Sequence, residues 1–436
     1  MIRLYISTYI TYKMEQPNIS KYFQIFLSIS IGFLQLLSFS GNAQNSDSSI
    51  DKYFKIAVEN NPKLQAEYKA YEAVLQKLPQ ASSLADPSLS IGYFISPVET
   101  RVGPQLARFS LTQMFPWFGT LKAQENVVAL EAEARFQSFL DARNKLYWEV
   151  ASQYYPLYEL KKLVQIEQEN IEILKSYKSL AERKFSSSSG SMVDVLRVDI
   201  MIDDAETNLE ILKQKEKPLL TAFQNVLNKE VELEIQVDSN RANFEPSLVK
   251  DSLFDDHPLI QSLEYKMQSA EANERVAQKQ GLPKIGLGLD YVIVGERQDM
   301  DLADNGKDVL MPMVTVSLPI FRKKYNAQKK EAQLMQESYE LQKQNVKNQL
   351  DTDYESTVFE IEQQLELLNL YERQIKKTEN TLEIIWKSYS SSGADFEEVL
   401  RIQQQFLKYR KLKAKAEAEF SISIQKYEYL ISNSTN

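Results

Sequence analysis

The sequence states one pattern twice, about two hundred residues apart, and each statement runs helix, β-hairpin, very long helix, turn, helix. Asn61-Pro62, Pro87, Pro116 and Phe185-Ser-Ser-Ser-Ser-Gly190 before Val195-Leu196 mark the first copy. His257-Pro258, Pro283, Pro319 and Tyr389-Ser-Ser-Ser-Gly393 before Val399-Leu400 mark the second. Equivalent prolines 62 and 258, and 87 and 283, are 196 apart, whereas Pro116 and Pro319 are 203 apart, so the added residues fall inside the second hairpin. Phe185 to Tyr389 and Leu196 to Leu400 are both 204 apart, so the long helices are almost equal in length. A duplication of this kind lets 436 residues form one body rather than several domains.

Between the helices the period changes to two. Leu89, Ile91, Tyr93 and Ile95 alternate with Ser88, Ser90 and Gly92, and Ala107, Phe109 and Leu111 alternate with Arg108, Ser110 and Thr112. In the second copy Ile285, Leu287, Leu289, Tyr291 and Ile293 oppose Lys284, Gly286, Gly288 and Asp290, with Val314 and Val316 on the partner strand. Strands of this length with one apolar and one polar face suit either a transmembrane β-barrel or hairpins packed on a soluble core. On the barrel reading, four strands cannot close, and an open edge in lipid leaves backbone groups unpaired, so several chains must share one wall. Pro97 to Pro104, and the longer acidic Gly295 to Asp308, read as exposed loop tips.

From about Phe118 to Phe185, and from about Arg322 to Tyr389, no glycine interrupts the helical pattern, and each such helix is roughly 100 Å long. Leu350, Tyr354, Thr357, Ile361, Gln364, Leu368, Tyr371, Ile375, Thr378, Leu382, Ile385 and Tyr389 recur at spacings of four and three, a coiled-coil seam. Val195, Val198, Ile202 and Ala205 correspond to Val399, Ile402, Phe406 and Tyr409, so each turn folds a shorter helix back onto a long one. Pro156, inside the first long helix, is expected to kink it.

Composition narrows the function. The net charge of −9 gives no basic footprint, so nucleic acid is not an expected partner. Lys21, the apolar run Tyr22 to Phe39 and Gly41-Asn42-Ala43 have the order of a secretory signal peptide, the alternative being a membrane anchor, with Met1 or Met14 as the start. With no cysteine there are no disulfides, no thiolate ligands and no lipidated N-terminal cysteine. The single histidine, His257, stands where the other copy has Asn61 and reads as a helix cap. No nucleophile motif or phosphate loop is present, so neither enzyme activity, nor a cofactor, nor a metal site is expected.

The duplicated hairpin and long helix, the leader and the two Ser/Gly turns resemble the TolC-type outer-membrane efflux proteins over essentially the whole mature chain. Leu111-Thr-Gln-Met-Phe-Pro-Trp-Phe-Gly-Thr-Leu121 is similar to the entry into the first long helix in the heavy-metal branch, the CzcC- and CusC-like members. The resemblance implies a mainly α fold with a small transmembrane β part, in a trimeric α/β barrel. Each of three identical chains then gives four strands to a twelve-stranded barrel in outer-membrane lipid, continued by a helical tube across the periplasm. It also implies a periplasmic adaptor and an inner-membrane pump, favoured here as proton-driven of the RND type. By the same resemblance the adaptor docks at the two helix-turn-helix tips, Gly190, Ser191, Met192, Val193 and Asp194 in one copy and Gly393, Ala394, Asp395 and Phe396 in the other.

Charges crowd both tips: Asp194, Arg197, Asp199, Asp203 and Asp204, and Asp395, Glu397, Glu398 and Arg401. Inward-facing acids would form rings in a trimer, and Arg197, Asp199, Glu397, Glu398 and Arg401 are candidate gate charges. The alternative is a solvated helix face carrying ordinary surface pairs. The expected organisation is a signal peptide over 1–43 and a first repeat over 44–256, with hairpin 87–115, long helix 118–185, returning helix 191–228 and an equatorial segment 229–256. A second repeat over 257–436 has hairpin 283–318, long helix 322–389 and returning helix 394–432. The functional expectation is the exit duct of a tripartite efflux system for small molecules or metal ions. The exit duct of a type I protein-secretion system and an exported coiled-coil structural or adhesive protein are the alternatives.

Overall fold

The structure, a computed structural model, describes residues 49–232, 234, 254–299, 302–391 and 395–431. The signal peptide, most of the equatorial segment, and the tip residues Gly393 and Ala394 lie outside these. The chain divides into Met1–Asp47 and Ser48–Asn436, and all described residues belong to the second unit.

Where one opening helix was expected in the first copy there are three short ones, α1 (Ser49–Asn60), α2 (Pro62–Leu75) and α3 (Lys77–Ser82). The second copy has a single helix there, which we label α6 (Pro258–Gln280). The copies start their helices alike. The Asn61 Oδ1 accepts from the Leu64 amide at 3.1 Å, and the His257 Nδ1 accepts from the Leu259 amide at 3.2 Å. Each cap is followed by a proline whose missing N–H the first helical turn does not need. The histidine is therefore a cap, as its position opposite Asn61 suggested.

The long helices are α4 (Thr120–Ser186) and α7 (Lys323–Ser391), of 67 and 69 residues. The returning helices are α5 (Met192–Leu227) and α8 (Phe396–Leu430), of 36 and 35. Helix α4 runs through Pro156, and α5 runs through Pro218, a proline the sequence reading did not single out. Every one of the twelve seam positions of α7 is buried or half-buried. The two copies also bury matching side chains along these helices. Leu146, Val150, Leu157 and Phe223 line the core shared by α1, α2, α4 and α5. Their counterparts 204 residues later, Leu350, Tyr354, Ile361 and Tyr427, line the core between α7 and α8. The first core is filled by an aromatic cluster, with the Tyr53 and Phe223 rings edge to face at 5.0 Å.

The hairpins are β1 (Ser88–Thr100) with β2 (Gly103–Phe115), and β3 (Lys284–Val294) with β4 (Val309–Ser317). They join through β2 and β3 into one antiparallel sheet of order β1-β2-β3-β4. The first hairpin is longer than its sequence suggested. The stretch 97–104, expected as a loop, is strand except for a turn at Arg101 and Val102. A register shift between Tyr93 and Val98 absorbs Pro97, whose missing amide a bulge tolerates. The longer second loop is not a free tip either. The Gly295 amide donates to the Pro104 carbonyl and the Gly306 amide to the Val102 carbonyl, both at 2.7 Å, so the loop lies on the first hairpin's turn. Gly103 permits that approach: its φ is +130°, and a Cβ there would sit 1.8 Å from the Gly295 oxygen.

The sheet's two faces differ in kind. Leu89, Ile91, Tyr93 and Ile95 of β1 and Leu287, Leu289 and Tyr291 of β3 are exposed, Ile95 at 93%. On the other face of β3, Asp290 is completely buried and paired with Arg108 of β2. No described helix is long and apolar enough to cross a membrane.

Candidate functional site

The ends of all four long helices meet in one core. Ile171, Leu174, Tyr177 and Ala181 of α4, Val195, Val198 and Ile202 of α5, Tyr389 of α7, and Phe396, Val399 and Leu400 of α8 pack together. Aromatic rings form its centre. Tyr177 stacks on Trp386 at 4.3 Å, and Tyr389 stacks on Phe396 at 4.7 Å, geometries worth about 0.5–1.5 kcal/mol each beyond burial. Burial pushes the Tyr177 phenol up to about 12, so it stays a neutral donor. The Lys184 ammonium lies 4.0 Å from the Tyr389 ring centre and also donates to the Tyr389 carbonyl. It thereby closes the last turns of α4 and α7 against one another.

The four-serine run has a local purpose. Amides of Ser187 and Ser189 donate to the carbonyls of Arg183 and Lys184, and the Ser187 hydroxyl adds a bond to Lys184 O at 3.0 Å, ending α4. Ser188 takes the left-handed conformation there, with φ 57°. Gly190 serves close approach: a Cβ would stand 2.8 Å from Lys184 Cβ and 3.2 Å from that residue's carbonyl carbon. Ser191 and Asp395 are N-caps, accepting from the amides of Val193 and Glu397 at 3.1 Å. Asp194, Glu397 and Glu398 occupy first helical turns, where the helix dipole favours acids.

Of the expected docking residues, Ser191, Met192, Val193 and Asp395 are exposed, and Gly190 and Asp194 are half-buried. Phe396 differs. It is 1% exposed, because the apolar ring fills the aromatic core instead of facing outward. The candidate gate charges form three separate pairs. Arg197 meets Glu397 at 2.8 Å, linking α5 to α8; Arg401 meets Glu398 at 3.4 Å within α8; Asp199 pairs with Lys178 across α4 and α5. All three lie near the surface, where such pairs are worth under about 1 kcal/mol. Asp203 and Asp204 are exposed. The sequence reading missed Tyr177, Lys184 and Trp386, since aromatic and basic residues at helix ends carry no spacing signal. It also missed the buried bond from Gln403 to Asn170, 3.1 Å, that ties α8 to α4.

The chain thus combines a sheet with one exposed apolar side and long paired helices whose ends gather in one tip. Residues 250–426, most of the second copy, match the family described as outer membrane efflux protein. Among solved structures, CusC superimposes with a TM-score of 0.73 at 15% identity, over 88% of this chain and 91% of that one. VceC of Vibrio cholerae gives 0.69 at 15% identity, over 88% and 95%. The open state of the Neisseria gonorrhoeae MtrE outer membrane channel gives 0.70 at 14%, over 88% of each chain. No curated protein matches by sequence. Scores this even leave the heavy-metal branch as one option among several.

Proposed function

We propose that three copies of this chain form a passive exit duct of a tripartite efflux system. In this arrangement each copy adds four strands to a twelve-stranded barrel in the outer membrane, and the helices continue as a tube through the periplasm. The observation that carries the reading is the sheet itself. Its edges β1 and β4 are unpaired, its apolar side is exposed, and its other side carries Asp290, fully buried and paired with the exposed Arg108. Edges of that kind are not tolerated in lipid unless another chain pairs with them. Similarity in fold to a protein described as an outer membrane channel supports the same reading.

A periplasmic adaptor binds the tips through Gly190, Ser191, Met192, Val193, Asp194 and Asp395, and hands over small molecules or metal ions delivered by a proton-driven pump of the RND type. With no cysteine to carry a lipid, the barrel alone holds the protein in the membrane. The test is native mass measurement of detergent-extracted protein, followed by planar-bilayer recording. Trimers with stepwise conductance are expected, whereas a monomer without conductance overturns the reading. Export of a protein, but of no small molecule or metal, by cells carrying the duct would assign it to secretion instead.

A further inference from the structure

Inside the chain, the first copy meets the second where α8 lies along α4. Side-chain contacts along its length fix that seam. Phe396 sits edge-on to Tyr177 at 6.4 Å, Gln403 donates to Asn170, Arg410 donates to Glu169 at 2.6 Å, and the Tyr158 hydroxyl donates to Glu417 at 2.7 Å. Among the described residues the face of α5 equivalent to this face of α8 has no such set of contacts; of its charged side chains only Asp199 is held by another helix, through Lys178 of α4. Met192 and Leu196, which correspond to the buried Phe396 and Leu400, are 46% and 51% exposed, and Ile200, one turn on, is 62% exposed. Helix α7, equivalent to α4, likewise leaves Ile384 69% exposed.

Moving the α4–α8 contacts by the 204-residue offset gives a specific result. The Glu169–Arg410 pair becomes Arg373 on α7 against Glu206 on α5, with the signs exchanged between the helices. Tyr158–Glu417 becomes Glu362 against Lys213, again opposite in charge. The pair of Glu167 with Lys411 becomes Tyr371 and Thr207, and the Asn170–Gln403 bond becomes Gln374 and Asp199; neither introduces like charges. Arg373, Glu206 and Glu362 are exposed and, among the described residues, form no ion pair. Lys213 has only its neighbour Glu210 one turn away.

We infer that the α5 face of Met192, Leu196, Ile200 and Glu206 is an interface for α7 of a second copy of this chain, with Glu206 against Arg373 and Lys213 against Glu362. This rests on the trimeric reading above and assigns the lateral contact that closes the ring of helices. The occupant is a second copy rather than another protein because the template is the chain's own α4–α8 seam, and the charges on the two free faces complement one another. Two exposed ion pairs add little affinity but set register, while the apolar stripe supplies the buried area.

The cysteine-free sequence makes the test clean. Full-length protein carrying both Glu206→Cys and Arg373→Cys is treated in detergent with a short bis-maleimide. Covalent dimers and trimers are expected from the double variant and only monomers from either single variant. Charge reversal gives a second readout: Glu206→Arg or Arg373→Glu alone lowers the temperature at which trimers dissociate, and combining them restores it. No intermolecular cross-link and no rescue, in a protein that native mass shows to be trimeric, overturns this interface and leaves the trimeric duct standing. A monomeric wild-type protein overturns both.

Discussion

At the scale of single residues, the duplication acts as an internal control. Asn61 and His257 perform the same capping bond, but only the histidine titrates. Burial holds its imidazole down to about 4 from 6.5, and protonating Nδ1 would remove the acceptor that caps α6. Because the folded value lies below the unfolded one, the unfolded chain binds more protons between those limits. The contribution is fully present above pH 6.5 and is lost as pH falls toward 4, by roughly 3 kcal/mol in all. Asp141, which accepts from Tyr429 beside this histidine and is pushed up by burial, acts in the opposite direction. Comparing the wild type with His257→Asn isolates the histidine term. The wild type should lose more thermal stability than the variant between pH 7.5 and 4.5, and parallel losses would refute the assignment. A second residue-scale expectation concerns Ser188, whose positive φ a glycine adopts without strain. Ser188→Gly should stabilise the tip by about 0.5–1 kcal/mol, read as slower proteolysis between α4 and α5. The histidine cap was legible from the adjacent proline and the repeat, whereas the strained serine was hidden because serine runs look alike whatever their backbone angles.

Among elements, the helices followed their sequence closely and the hairpins did so less well. A seam of twelve positions along α7 averages out local exceptions, so the period alone places it. Pro97, one residue, decides whether β1 ends or bulges, and only the partner strand settles that. The tip shows the same limit: spacing located the turns, but the stacking of Tyr177 on Trp386 joins residues from opposite halves of the sequence. Trp386→Ala should cost about 3–5 kcal/mol locally, loosening the α7–α8 end and exposing it to protease while leaving the sheet intact. Equal protection of wild-type and variant tips would contradict a shared aromatic core. For the sheet, Ile95→Arg places a charge on the exposed apolar side. It should cost about 2–4 kcal/mol if that side meets the middle of a bilayer, and reduce the amount of assembled protein in the outer membrane. An unchanged yield of assembled trimer would remove lipid from that face.

For the whole molecule, the repeat made the architecture readable because both copies had to solve the same packing problem. What it could not show is where the copies are held together. Those bonds are particular to each half: Arg197 to Glu397, Lys184 to Tyr389, and Arg108 to Asp290. The last of these carries a consequence in time. Its partners are 182 positions apart and sit on β2 and β3, the strands that join the hairpins. A chain delivered from its N-terminus presents β1 and β2 long before β3 exists, so a finished hairpin must wait with a bare edge and an apolar side in water. Such an intermediate invites pairing with the wrong strand, and contacts so distant in sequence form slowly. On the proposed barrel, delivery to the membrane therefore depends on how the half-made sheet is shielded as much as on how stable the finished one is.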